Sequence, residues 1–136
     1  MRRGMILLLA IAVPAAAAAA AQPSAFAHVV GGLWEISGVP GQHSPVRQCV
    51  SDVATLAQFE HRSRTCSRTV LSENGTSTVI NYSCGGAGFG HSEVNVLTPR
   101  SLRISTQGIS DKLPFSYVLQ AHRVGDCGKS PSPSHH

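Results

Sequence analysis

Four cysteines, Cys49, Cys66, Cys84 and Cys127, are the side chains in this 136-residue sequence with the most chemistry to offer. A structural zinc site would bring cysteines together in close pairs such as C-x-x-C. A redox-active dithiol would use the same spacing to poise a thiolate. Here the gaps are 17, 18 and 43 residues, so neither chemistry is expected. An even number of cysteines in a short chain bound for an oxidising compartment reads as disulfides, which stabilise a small core by restricting the unfolded ensemble. Three pairings are possible. We expect Cys49 with Cys66 and Cys84 with Cys127, closing loops worth about 3 to 4 kcal/mol each.

The remaining reactive groups are scattered. His61, His91 and His122, with Asp52, Asp111 and Asp126, could assemble a hydrolytic or metal-dependent centre only if the fold gathers them. Neither a Gly-x-Ser-x-Gly elbow nor a Ser-x-x-Lys pair occurs to supply a nucleophile. The run Cys84-Gly85-Gly86-Ala87-Gly88-Phe89-Gly90 superficially resembles a phosphate loop. Such loops present backbone N–H groups at a helix start, whereas a strand pattern follows here, so the run reads as a tight β-connection. His28 offers a candidate copper ligand, its imidazole acting with a free terminal amine and joined by His91 or His122, if a leader is removed after Ala27. His135 and His136 form an adventitious metal-binding tail. No cofactor is implied.

These groups must be positioned by strands, because period-two alternation and turn residues dominate the sequence. Leu33 to Ser37 and Val46 to Val50 read as strands around Gly38-Val39-Pro40-Gly41. Ser51 and Asp52 then offer an N-cap and a first-turn carboxylate. Val53, Leu56, Ala57 and Phe59 give the only helical pattern, about two to three turns long and ending before Arg62. Cys66 to Leu71 and Thr76 to Cys84 flank Asn74-Gly75, a strong hairpin signal because both residues tolerate positive φ. Phe89 to Leu97 and Leu102 to Thr106 follow, with a further turn from Gln107-Gly108 to Leu113-Pro114. Phe115, Tyr117, Leu119 and Ala121 make the inward face of the last strand. The expected fold is mainly β: an antiparallel meander of six or seven strands, a curved sheet or small barrel, with one short helix in the N-terminal third. Trp34, Tyr82, Phe89, Phe115 and Tyr117 are expected to line its core or a ligand cavity.

The first 27 residues read as a secretory leader. Arg2 and Arg3 precede an apolar run, Met5 to Val13, and Ala25-Phe26-Ala27 offers a small-x-small cleavage site, with Ala19-Ala20-Ala21 as the alternative. Residues 28–127 then form one domain and 128–136 a disordered tail. With the leader gone the charge falls from 11 − 7 = +4 to 9 − 7 = +2. The basic residues form no dense stripe, which argues against nucleic acid as a partner. Pro14 and the Ala-rich composition argue against stable membrane insertion. Two N-glycosylation sequons, at Asn74 and Asn81, matter only in a eukaryotic secretory route.

Gly32-Leu33-Trp34-Glu35, the ordered cysteines Cys49, Cys66 and Cys84, and the closing Gly125-Asp126-Cys127 together resemble the exported bacterial proteins of domain-of-unknown-function family 3617. The resemblance spans Gly32 to Cys127 and implies a periplasmic bacterial protein. That family has no assigned reaction, so no catalytic residue is carried over. The expectation is a periplasmic, non-enzymatic β-domain that binds a small apolar or envelope-derived ligand or a protein partner. An enzyme using the scattered histidines and a structural envelope protein are the alternatives.

Overall fold

The computed structural model describes residues 9–14 and 23–128. Arg2, Arg3, the Ala19-Ala20-Ala21 cleavage site and the tail from residue 129 lie outside the described residues. Among the described residues no helix is long and apolar enough to cross a membrane.

Among the described residues seven strands form one antiparallel sheet: β1 Gly32–Ser37, β2 Val46–Val50, β3 Ser67–Glu73, β4 Ser77–Ser83, β5 Gly88–Thr98, β6 Ser101–Ser110 and β7 Leu113–Gly125. The spatial order is β2-β1-β7-β6-β5-β4-β3. Only β3 to β7 run as the expected meander. β1 returns to pair with β7, Ile36 opposite Ala121, and carries β2 to the edge. The sheet curls without closing, since β2 and β3 remain separate edges.

Alternation decides which face is buried. Trp34 and Ile36 of β1, Ile80 of β4, Val94 of β5, Leu102 and Ile104 of β6, and Leu119 and Ala121 of β7 are all buried on the inner face. The segment expected to be an α-helix is a 3-10 helix, Val53–His61, broken by a non-helical Gln58. Val53, Leu56 and Phe59 recur every three residues, the 3-10 period. Seven of its nine residues are buried, because the curled sheet leaves it no solvent face. Its carbonyls therefore need protein donors. The Ser92 hydroxyl donates to Ala57 O at 2.5 Å, Gln58 Nε2 to His61 O at 3.2 Å, and Arg62 Nη1 to Phe59 O at 3.0 Å. Asp52, not Ser51, caps the segment, accepting from Ala54 N at 3.0 Å while pairing with Arg68 of β3.

The turns also divide the expectations. Asp111 and Lys112 carry positive φ in a two-residue hairpin that closes Ser110 onto Leu113, so Gln107 and Gly108 stay within β6. At Asn74-Gly75 neither φ is positive. Instead Asn74 Oδ1 accepts from Thr76 N and Ser77 N at 2.9 and 2.8 Å, a side-chain-mediated turn.

The disulfides are Cys49–Cys127 and Cys66–Cys84, which corrects the expected pairing. Cys66 and Cys84 immediately flank the Ser67–Ser83 rung, so the β3-β4 hairpin itself sets them facing, their Cα atoms 4.3 Å apart. Leu33 of β1 lies opposite Cys49 on one side and Gly125 on the other. The return of β1 to β7 is thus what brings the distant Cys127 within 5.4 Å of Cys49.

Candidate functional site

Toward one end of the sheet, β3 to β7 carry two exposed cross-strand rungs. One runs Thr69, Asn81, His91, Gln107, Ser116. The next runs Ser67, Ser83, Phe89, Ile109, with Pro114 on β7. Between them, on the opposite parity, Tyr82, Gly90, Gly108 and Phe115 form a rung of two rings and two glycines. All of these residues except Pro114 line an open groove of about 930 Å³, within the size range of small-molecule sites.

The glycines are required by close approach. A Cβ on Gly90 would strike the Tyr82 ring, and one on Gly108 would strike the Phe89 carbonyl. β5 therefore cannot carry a side chain at Gly90, where Tyr82 covers the backbone, nor β6 at Gly108, where the backbone of β5 stands in the way. Across this thinned region Phe89 stands 55% exposed, although a phenylalanine on an ordinary sheet would be packed. Around it the lining mixes Ile109 and two further rings with polar side chains, and holds no Asp, Glu, Lys or Arg. His91 Nδ1 lies 2.6 Å from Asn81 Oδ1, and both residues are exposed.

Beneath the groove sits a buried polar relay. His61 Nε2 donates to Ala87 O at 3.0 Å, an assignment that follows because a carbonyl only accepts. Nδ1 then accepts from the Tyr82 hydroxyl at 3.0 Å. Phe115 packs edge-on against the His61 ring and tilted against Tyr117, whose hydroxyl donates to Glu60 at 2.6 Å. Burial, reinforced by the Glu60 charge, pushes the Tyr82 hydroxyl up to about 12. Burial and the Glu60 hydrogen bond raise Tyr117 further. Both phenols are thus held neutral as donors, and the relay fixes the wall of the groove.

The expected ligand-lining residues separate into two groups. Tyr82, Phe89 and Phe115 line the groove. Trp34 is wholly buried in the core, its indole donating to Val30 O at 3.2 Å, and Tyr117 lies behind Phe115. The histidines do not converge: His61 is bound as above, His91 is exposed beside Asn81, and His122 sits on β7 opposite Glu35 and Ser101. Asp52 bonds Ala54 and Arg68, Asp111 stands in a turn, and Asp126 pairs with Arg123. His28 is exposed, and no set of three metal-ligating side chains gathers among the described residues. Of the polar half of the groove, Asn81 and Gln107 carry no sequence signal beyond a solvent-facing position, and His91 stands out in the sequence only for a hydrolytic or metal-dependent centre. No family model, curated protein or solved structure matches the chain.

Proposed function

We propose that this chain is an exported, non-enzymatic bacterial binding domain whose groove takes a small neutral ligand with one apolar face and one hydrogen-bonding edge. The observation that carries this reading is the exposed Phe89 ring, which shares the groove with Ile109 and Phe115, beside the polar row Asn81, His91, Gln107. An exposed aromatic offers a stacking platform. Amides, an imidazole and hydroxyls offer both donors and acceptors. The absence of Asp, Glu, Lys and Arg from the lining favours a neutral ligand over a phosphate or carboxylate. Two disulfides agree with an oxidising compartment. The resemblance to family 3617 supports a periplasmic setting.

The test is native mass spectrometry of protein taken directly from the periplasm, followed by chemical-shift mapping with a neutral oligosaccharide and a medium-chain fatty alcohol. A retained neutral adduct, or shifts centred on Phe89, His91 and Gln107 that Phe89→Ser abolishes, is the expected result. Shifts confined to other surfaces, or retained binding in Phe89→Ser, would overturn the assignment.

A further inference from the structure

Ala25-Phe26-Ala27 reads as a leader-cleavage site, yet the fold uses it as core. Residues Ser24–Phe26 form a short 3-10 turn in which Phe26 is 1% and Ala25 4% exposed. Among the described residues only Trp34 is a larger fully buried side chain than Phe26. The turn is held at both ends. Ser24 N donates to Glu73 Oε2 at the end of β3 at 2.7 Å, and Val29 N bonds Phe26 O at 3.1 Å. Pro23 is also buried. This segment therefore packs over the inner face of the curled sheet and ties itself to the free edge β3. Among the described residues, Pro23, Ala25 and Phe26, which the sequence pattern assigns to the leader, are buried with the core.

We infer that the leader is cut before Pro23, at the Ala21–Gln22 bond, so that Pro23–Phe26 remain in the mature protein as the plug of its core. This rests on the export reading above. In the cleavage, a leader peptidase adds water across that peptide bond, leaving a carboxylate on Ala21 and an amine on Gln22. A cut after Ala27 would instead remove a phenylalanine from among packed neighbours and expose core surface to water, since a packed interior collapses only partly around a hole. The earlier cut also places His28 inside the chain. Its imidazole then has no terminal amine beside it, and the copper chelate envisaged from the sequence has no basis.

The test is intact-mass measurement, without reduction, on the full chain expressed with its own leader in a Gram-negative host and recovered from the periplasm. We expect a mature form beginning at Gln22, either as the free amine or cyclised with loss of ammonia. A form beginning at Ser24 or later overturns the inference. A chain that keeps its leader overturns the export reading on which the inference rests, and the two failures are told apart by mass alone. Deleting residues 22–27 joins Ala21 directly to His28, so that the same leader delivers a mature chain without the plug. We expect this variant to yield a processed form with a clearly lowered thermal midpoint. A product beginning at His28 that melts with the wild type would refute the plug.

Discussion

Gly90→Ala is the most discriminating perturbation of the groove, because the structure names what it strikes. The added methyl meets the Tyr82 ring, with Cε1 2.5 Å away, where ordinary contact begins near 3.5 Å. Tyr82 is 3% exposed, and its hydroxyl is engaged by His61, so the ring cannot move without breaking that bond. Overpacking of this kind costs about 1–3 kcal/mol. Tyr82→Ala alone leaves a void and a buried His61 Nδ1 without its donor, costing roughly 3–5 kcal/mol. In the double variant the methyl occupies space the ring has vacated. The two losses should therefore fall short of additivity by about 1–3 kcal/mol. Urea unfolding followed by fluorescence reads this directly, since the chain has a single tryptophan and Trp34 is fully buried. The lost His61 bond is common to both Tyr82→Ala backgrounds and cancels in the cycle. Additivity within about 0.5 kcal/mol would mean that Gly90 and Tyr82 are not in contact, and the account of the groove wall would fail.

Further outcomes follow from the same structure. Non-reducing peptide mapping should recover Cys49 linked to Cys127 and Cys66 linked to Cys84. Removing each bridge by paired Cys→Ser changes should cost about 4.5 and about 3 kcal/mol for loops of 78 and 18 residues. Phe26→Ala should destabilise the mature protein by about 3–5 kcal/mol and Phe26→Leu by less than half of that, measured as urea midpoints. Alkaline pH should weaken the fold. Unfolded tyrosines lose their protons near pH 10, whereas Tyr82 in the fold is raised to about 12 and Tyr117 is also raised. The unfolded state then binds fewer protons as pH climbs through that window, so stability is intact below about pH 10 and falls above it, by on the order of 2 kcal/mol from Tyr82. The chain holds only two tyrosines, so tyrosinate absorbance reports on these sites alone. A native titration midpoint near pH 10 would contradict the relay.

Much of the local structure was legible in the residues, and much of the site was not. The strand faces of Trp34 and Ile36, Leu102 and Ile104, and Leu119 and Ala121 follow from alternation alone, because a strand with one buried face must alternate. The Asp111-Lys112 hairpin was blurred into a longer turn, since Lys, unlike Asp, is not a usual carrier of positive φ, and Gly108 near it suggested a break that the strand does not make. The groove was half visible. Tyr82, Phe89 and Phe115 stood out as aromatics, but their being spaced by Gly90 and Gly108 depends on four strands in register, which no single strand reveals.

By itself the sequence determined the periodicity, and with it an antiparallel β-domain carrying one buried turn of helix-like chain. It also determined that four cysteines would pair. These are local or compositional consequences: alternation sets which side chains face inward, and thiols in an oxidising place form bonds. Tertiary structure alone decided which cysteines meet, because the pairing depends on β1 returning to β7, a choice made by the shape of the whole sheet. It also decided that Phe26 belongs to the core and that His61 serves Tyr82, since both follow from how a curled sheet closes over a segment distant in sequence.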